Sequence, residues 1–373
     1  MESNWCSCTK CHAGYGLDHN NFDFSDTERM DCLVCHDTTG TYSKKKNRCG
    51  YANPDVDLLK VARNVGSPSR ANCGACHWYG GGGDNVKHGD LSSAMASPSR
   101  EHDVHMGGLD FTCQKCHTTT EHRIAGVSTT TAVSEGEVSC TDCHDEKPHK
   151  PASGLQQQLN QHCDALSCQS CHIPEFAEKV KTVTYWDWSE SGKKDKLLEK
   201  SADKTRKLSK KKGLLVKESH VQPTYEWYNG KHRRYRKGDP VNTDGVTELN
   251  PPQGDINDPQ ARITPYKIMV GVEPVDAENG YMIVPKLHGE GYFKNYNWQR
   301  AAELGMKAAG LDFSGAITFA KTRMHWRINH GVAPQEDALS CLDCHGTDGV
   351  MDFKALGYEG DPAVVGGREA SGE

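Results

Sequence analysis

One short pattern, C-x-x-C-H, occurs seven times in this sequence of 373 residues. Two thiols at this spacing can add to the two vinyl groups of one porphyrin, and the histidine that follows lies under the iron as its proximal ligand. The pattern therefore predicts seven covalently bound haem c groups. The attachment cysteines are Cys8, Cys11, Cys32, Cys35, Cys73, Cys76, Cys113, Cys116, Cys140, Cys143, Cys168, Cys171, Cys341 and Cys344, and the proximal histidines are His12, His36, His77, His117, His144, His172 and His345.

Zinc ribbons also contain C-x-x-C pairs, and they are the main alternative interpretation of the repeat. A zinc site has no requirement for a particular residue after the second cysteine. Here a histidine follows every pair, although only 19 of the 373 residues are histidine. The pattern therefore favours haem over zinc.

The composition is polar for a chain of this length, with 35% hydrophobic residues and a mean hydropathy of -0.73. Six of the motifs lie between Cys8 and His172, so porphyrin faces must supply much of the buried apolar surface there. We expect a mainly α chain with much irregular structure, wrapped around a stack of covalent haems. Without haem the chain should not fold.

Cysteines outside the motifs and the start of the chain bear on the cellular compartment. Of 17 cysteines, Cys6, Cys49 and Cys163 lie outside the motifs, and an odd number leaves at least one without a partner in the chain. Covalent haem attachment of this kind takes place outside the cytoplasm, so we expect a periplasmic or extracellular protein. The first residues show no export signal, and no apolar stretch approaches the roughly 20 residues of a membrane span.

The net charge of -6 is unevenly distributed. From Lys193 to Lys212, ten basic residues stand against three acidic ones, and "KHRRYRK" follows at 231–237. A solvated, mobile loop is the simplest interpretation. The alternative is a docking patch for an anionic partner, or a field that gathers a small anionic substrate. No nucleic-acid-binding module accompanies the charge, so nucleic acid is not an expected partner.

The motifs divide the chain into three segments. Residues 1–172 form a haem-dense core with six motifs, and residues 173–340 contain no cysteine. This haem-free insert has strand-like aromatic stretches, a basic loop and one clear helix, "WQRAAELGMKAA", at Trp298–Ala309. Residues 341–373 carry the last motif and the C-terminal tail. Because that haem must return to the stack, we expect one interwoven unit.

The remaining histidines bear on the second axial ligand of each iron. An electron-transfer haem usually has histidine on both faces, whereas a catalytic haem keeps one face open or weakly held. Twelve histidines remain after the seven proximal ones, enough to close every iron. The count alone therefore does not distinguish an electron conduit from an enzyme.

Longer stretches of the sequence resemble a known family. They are "CTKCHAGYG", "DCLVCHDTTGTY", "VGSPSRANCGACHWYGGGGDNVKHGDL", "SCQSCHIPEFA", "YWDWS", "DPQARITPYKIM" and "HGVAPQEDALSCLDCH". In this order they resemble the octahaem tetrathionate reductase family of c-type cytochromes, from about Trp5 to about Gly346. That family is related to hydroxylamine oxidoreductase and to the pentahaem nitrite reductase. Its members have one further motif upstream, so either that segment has been removed from this sequence or the chain is a heptahaem variant.

The resemblance implies a catalytic haem at the first motif. Members of the family are extracytoplasmic and reduce tetrathionate, nitrite and hydroxylamine, and one of their haems has lysine in place of the distal histidine. The corresponding residues here are His12 as proximal ligand and Lys87 as distal ligand. A neutral amine is displaced from iron more readily than a well-held imidazole, which would admit substrate. Asp90 and Asp103 are candidates for proton delivery or for orienting the lysine.

The resemblance also implies a distal histidine for each of the other six haems. Which ligand serves which iron is not readable from the sequence, and His19, His102 and His325 are possible substitutes. The implied ligands are His88, His105, His122, His149, His162 and His330.

Two functions are compatible with these features. In the first, a redox partner protein or another multihaem cytochrome supplies electrons, which pass along bis-histidine haems to the His12 haem and reduce nitrite, hydroxylamine or tetrathionate there. In the second, every iron is six-coordinate and the protein is a conduit, which could assemble into homo-oligomers. Oxidation of hydroxylamine is less favoured, because hydroxylamine oxidoreductase uses a haem-linked tyrosine to which no residue here corresponds.

Overall fold

The protein was analysed as a computed structural model that describes residues 2–19, 22–45, 47–128, 136–150 and 154–368. The helices are α1 (Trp5–Cys8), α2 (Leu33–His36), α3 (Leu58–Ala62), α4 (Arg70–His77), α5 (Cys113–Cys116), α6 (Gly154–His162), α7 (Gln169–His172), α8 (Tyr292–Asn295), α9 (Trp298–Ala309), α10 (Cys341–Cys344) and α11 (Pro362–Val365). The strands are β1 (Thr119–Thr120), β2 (Arg123–Ile124), β3 (Thr182–Asp187), β4 (Lys196–Lys200), β5 (Lys204–Ser209), β6 (Gly213–Glu218), β7 (Thr224–Tyr228), β8 (Val246–Glu248), β9 (Arg262–Asp276) and β10 (Ile317–Arg327).

Most C-x-x-C-H motifs form a single helical turn. In α5 and α10 the two attachment cysteines are the first and last helical residues, and α2, α4 and α7 end on the motif histidine. An isolated turn of four residues is far too short to be stable in water. These turns therefore depend on the groups that they hold and on their neighbours.

The haem-free segment is organised around a sheet of eight strands. Its order is β4-β5-β6-β3-β9-β10-β8, and β7 also pairs with β9. The longest strand, β9, pairs antiparallel with β10 along its length and parallel with β3. The prediction of a mainly α fold is therefore not confirmed. The runs of β-branched and aromatic residues in this segment favour extended structure over helix.

The basic segment is ordered as a hairpin rather than a loop. Strands β4 and β5 pair antiparallel, and β5 pairs in turn with β6. All five residues of β4 are exposed, and this strand forms one edge of the sheet. Lysine on an exposed edge strand discourages pairing with other chains. The segment therefore forms strands where the sequence predicted a loop, because backbone pairing, rather than burial of side chains, holds it.

The last segment packs directly on the sheet. The indole Nε1 of Trp227 in β7 donates to the carbonyl oxygen of Leu356 at 2.8 Å, and Met351 and Tyr358 lie in the same buried cluster. The division into three segments within one unit stays a prediction that these contacts support. In the described ranges, no helix has the length and apolar character needed to cross a bilayer.

Helix α9 lies where the sequence predicts it. Asn297 caps its first turn by accepting from the backbone N–H of Arg300, and Gly310 ends it with φ of 67°. Its buried face includes Ala302, Gly305 and Met306. A Cβ on Gly305 would lie 1.9 Å from the carbonyl oxygen of Val284, so only glycine lets the helix approach that backbone.

Substitution Gly305→Ala should destabilise the protein by about 1–3 kcal/mol, because backbone at the contact must move apart. Chemical denaturation of the haem-loaded protein measures this. Lys307→Ala, on the exposed side of the same helix, is the matched control and should change stability by less than about 0.5 kcal/mol. Equal stability of the two variants would show that the contact does not constrain the fold.

Candidate functional site

Five pairs of histidine rings face each other at nearly the same separation. Two imidazoles that bind one metal ion through nitrogen at about 2 Å place their ring centroids about 6 Å apart. Each pair joins one motif histidine to one of the distal histidines expected from the sequence, so the spacing fits a haem iron between them. The pairs are His36 with His122 at 6.2 Å, His144 with His105 at 6.1 Å, His117 with His330 at 6.3 Å, His172 with His149 at 6.5 Å, and His345 with His162 at 6.2 Å.

The Nδ1 atoms of several of these rings have fixed hydrogen-bond partners, which leaves Nε2 free to face an iron. A carbonyl or carboxylate acceptor fixes the tautomer and the orientation of a metal-binding imidazole. The acceptors are the carbonyl oxygen of Gly66 for His36 at 2.8 Å, that of Ala125 for His117 at 2.7 Å, Asp90 for His330 at 3.0 Å, and Asp361 for His345 at 2.6 Å.

Asp90 and Asp103 both hold the loop of His330. Asp90 accepts from the backbone N–H and from Nδ1 of His330, at 3.0 Å each. Asp103 accepts from the backbone N–H of Gly331 at 3.0 Å and of His105 at 2.9 Å. Both carboxylates therefore position histidines that are predicted to be distal ligands. Their role in proton delivery at Lys87 stays a prediction.

Contacts between attachment cysteines give the spatial order of the motifs. The sulfur atoms of Cys11 and Cys76, of Cys73 and Cys113, and of Cys140 and Cys168 are close enough to interact with each other. Cys116 also lies near Cys143, Cys171 near Cys344, and Cys35 near Cys73. The order of neighbours is therefore first, third, fourth, fifth, sixth and seventh motif, with the second motif beside the third.

Two motif histidines, His12 and His77, take part in no ring pair of this spacing within the described part of the chain. His77 interacts electrostatically with His88, and burial lowers the pKa of His88 to about 4. At neutral pH His88 is therefore a neutral imidazole, the form that binds a metal. His12 follows Cys11, whose thiol contacts Cys76 at the end of α4, and the loop after α4 carries Lys87.

The aliphatic stem of Lys87 lies against the glycine-rich loop. A Cβ on Gly81, which has φ of 73°, would lie 2.1 Å from Cγ of Lys87, so a side chain there would displace the lysine. The Nζ of Lys87 lies 6.0 Å from the ring centroid of Trp186. Burial lowers the pKa of the Lys87 amine, against an opposing effect of Glu273. A lowered pKa favours the neutral amine, which can bind a metal.

Sequence reasoning missed Lys267, which holds the backbone of the Lys87 segment. Its side chain is fully buried, and its Nζ donates to the carbonyl oxygens of Val86 at 2.9 Å and of Lys87 at 2.7 Å. Burial lowers the pKa of Lys267 well below its usual range, and the nearby Lys87 lowers it further. The signal in the sequence is a lysine within the otherwise apolar strand "ITPYKIMV".

The basic hairpin reaches the same loop. Lys212, at the turn between β5 and β6, donates from Nζ to the carbonyl oxygen of Gly82 at 3.0 Å. Its Nζ lies 5.6 Å from the ring centroid of Trp186, and the Nε1 of that indole donates to the carbonyl oxygen of Lys212. Positive charge therefore extends from the exposed hairpin to the surroundings of Lys87.

The substitute histidines lie elsewhere. The Nδ1 of His102 is 3.1 Å from Glu178, and the Nε2 of His325 is 3.2 Å from Glu226. His19 lies beside Asp18, with its Nε2 3.3 Å from the carboxylate. None of the three takes part in the ring pairs described above.

These features define a multihaem c-type cytochrome, with haem c as its cofactor. The structure is similar to a crystal structure of octaheme cytochrome c from Shewanella oneidensis, with a TM-score of 0.89 and 45% identity over 97% of this chain and 82% of that one. The chain belongs to the octahaem cytochrome c family, as its motifs indicate.

Two family models and one curated relative match parts of the chain. The model described as bacterial cytochrome c matches residues 183–348, and the model for cytochrome c7 and related cytochromes matches residues 99–173. An uncharacterized protein from Archaeoglobus fulgidus is 29% identical over 152 residues, which are 35% of this chain and 50% of that protein. The match therefore spans half the length of that relative.

Substitution Asp90→Asn should make the reduction potential of one haem more positive, because a carboxylate hydrogen-bonded to an imidazole increases its basicity and stabilises ferric iron. Spectroelectrochemical titration would resolve the shifted haem. Asp110→Asn is the control, since the Asp110 side chain is 96% exposed. A titration of Asp90→Asn that overlays the wild type would show that Asp90 does not act on a ligand.

Proposed function

We propose that this protein is a reductase that passes electrons along bis-histidine haems to a lysine-ligated catalytic haem at His12. Its substrates are small nitrogen or sulfur compounds such as nitrite, hydroxylamine and tetrathionate. One observation carries the proposal: five motif histidines face a partner imidazole and His88 interacts with a sixth, whereas His12 has no such partner among the described residues. The family resemblance implies Lys87 as its distal ligand.

The spatial order of the motifs supports a defined electron route. The seventh motif lies at one end of the row and the first motif at the other, with the second motif as a branch beside the third. Electrons that enter at the seventh motif would therefore pass through the third before they reach His12. Several haems in contact also store the electrons that a multi-electron reduction consumes.

Lys87 would be a weaker distal ligand than histidine, so a substrate could displace it. Haem c supplies the one-electron iron couple, and the chain controls access to its distal face. The lowered pKa of Lys87 makes the neutral amine available, and its displacement opens a position for nitrogen or oxygen of a substrate. Lys267 holds the backbone at Lys87, and Gly81 leaves space for the Lys87 side chain. Together they limit the positions that the Lys87 amine can reach.

The surroundings of Lys87 suit an anion. Lys212 extends positive charge from the basic hairpin to Gly82, which would concentrate a small anionic substrate near the site. The electron donor would be a redox partner protein or another multihaem cytochrome. Attachment of haem c implies export, so we place the protein in the periplasm or outside the cell.

Substitution Lys87→His should close the catalytic haem and abolish substrate reduction. Electron paramagnetic resonance of the oxidised protein should show one haem with a lysine-type or high-spin signal that responds to nitrite or hydroxylamine. In Lys87→His that signal should become an ordinary bis-histidine signal that does not respond. The exposed Lys60→His serves as the control and should retain both signal and turnover.

A different result defines the second candidate function. If all haems of the wild type are low-spin bis-histidine centres and indifferent to both ligands, the protein is an electron conduit. The five histidine pairs are compatible with both a reductase and an electron conduit. The spectrum of the wild type therefore decides between these two functions.

Replacing exposed lysines of the hairpin with glutamine should weaken the salt dependence of nitrite turnover, because screening then has less charge to act on. A suitable variant changes Lys194, Lys196 and Lys200 together. The measurement is kcat/KM at several ionic strengths. If kcat/KM of the variant depends on ionic strength as in the wild type, the hairpin does not attract the substrate or the redox partner.

A further inference from the structure

A buried ion pair lies where the first three haem motifs meet. The Nζ of Lys44 is 3.1 Å from the carboxylate of Asp31, and the two side chains are only 2% and 6% exposed. Lys44 lies near one attachment cysteine of each motif: Cys11 of the first, Cys35 of the second and Cys76 of the third. Haem attachment and axial ligation need neither charge, so the pair has another role.

The pair is oriented, with its positive end toward the first motif. The Nζ of Lys44 donates to the carbonyl oxygen of His12 at 2.6 Å and to that of Gly14 at 3.0 Å. Asp31 directly precedes the second motif and lies near Cys35 of that motif. The cation therefore lies against the proximal ligand of the first haem, and the carboxylate lies toward the second motif.

Further hydrogen bonds hold the carboxylate in this position. The hydroxyl of Tyr42 donates to the carboxylate of Asp31. Burial, together with this hydrogen bond, raises the pKa of Tyr42, so its hydroxyl stays a neutral donor. The backbone N–H of Asp31 donates to the carbonyl oxygen of Ala13 at 2.8 Å, next to His12. The segments that precede the second motif and follow the first are thus joined at the ion pair.

A disulfide fixes the loop of Lys44 to the first motif. It joins Cys49, in the turn that follows Lys44, to Cys6 in α1, and it leaves Cys163 without a disulfide partner. A backbone bridge pairs Lys44 with Ala52 on the other side of that turn. Covalent and hydrogen-bonded contacts therefore set the position of the buried cation beside the first haem.

Buried charges act on nearby redox centres with little screening by solvent. A cation stabilises ferrous iron relative to ferric iron and makes the reduction potential of a haem more positive, whereas an anion does the reverse. Lys10 also lies near Cys11, but this lysine is exposed, so solvent and salt screen its charge. The buried pair should therefore act more strongly on the first haem than Lys10 does.

We propose that the Lys44–Asp31 pair directs electrons where the first three motifs meet, by making the reduction potential of the first haem more positive than that of the second. Electrons that arrive through the third haem then pass to the first haem rather than to the second. Each transfer oxidises the third haem by one electron and reduces the first by one. The inference rests on the proposed function only in treating the His12 haem as the destination of the electrons.

Spectroelectrochemical titration of the haem-loaded protein tests the effect of each charge without measuring turnover. Lys44→Gln leaves the carboxylate unpaired, so the potentials of the neighbouring haems should become more negative. Asp31→Asn leaves the cation unpaired and should make them more positive. Lys45, the next residue, is exposed, so Lys45→Gln is the matched control and should overlay the wild type. Shifts of the same sign in the first two variants, or shifts no larger than in the control, overturn the proposal.

The double variant Lys44→Gln/Asp31→Asn tests the orientation of the pair. It leaves no unpaired charge in the interior, so it avoids the loss of stability that either single variant brings. The first haem should become more negative and the second more positive, which narrows the gap between their potentials. If the gap stays as in the wild type or widens, the pair does not direct electrons.

Electron paramagnetic resonance during the same titrations separates this inference from the proposed function. The signal that changes in Lys87→His identifies the first haem, and its potential should follow the shifts described above. If the wild type lacks such a signal, the proposed function is refuted, while the opposite shifts of the two single variants and the narrowed gap of the double variant are still measured. If the signal is present and its potential does not move in any of these variants, the proposed function stands and the role of the ion pair is refuted.

Discussion

The gap between two imidazoles is the spacing on which the rest of the molecule depends. Each of five histidine pairs has the separation that one iron between the two rings requires, and the two rings of a pair come from different parts of the chain. A backbone carbonyl or a carboxylate then fixes several of these rings through Nδ1. These polar contacts of the protein therefore orient ligands. The haem groups would supply the buried apolar surface that the polar composition lacks.

The haem-free sheet supports the candidate site and is not a separate functional unit. Strand β9 carries Lys267, which bonds the backbone at Val86 and Lys87, and β3 carries Trp186 beside the lysine itself. The sheet thus limits the positions of one long side chain, that of Lys87, in the haem-dense segment. Under the proposed function, Lys87 is a weaker distal ligand than an imidazole, so contacts outside the His12 motif must hold it in place.

The sequence predicts features that depend on neighbouring residues better than features that depend on residues far apart in the chain. The motifs and helix α9 depend on local spacing, and both were readable from the sequence. The family resemblance implied the set of distal histidines, yet the assignment of His330 to the haem of His117 requires the fold, because more than 200 residues separate them. The β4–β5 hairpin was missed because its residues are exposed and polar. The Cys6–Cys49 bond and Lys267 depend on contacts between segments that no local pattern records.

The crowding of attachment cysteines has a consequence for how such a protein is made. In the fold the sulfur atom of Cys11 lies near that of Cys76, and the sulfur atom of Cys140 lies near that of Cys168. Thiols that meet in an oxidising compartment form disulfides, which would block thioether formation. An attachment enzyme must therefore reach each motif while the chain is still extended. The short distances between motifs therefore favour haem attachment before each segment folds.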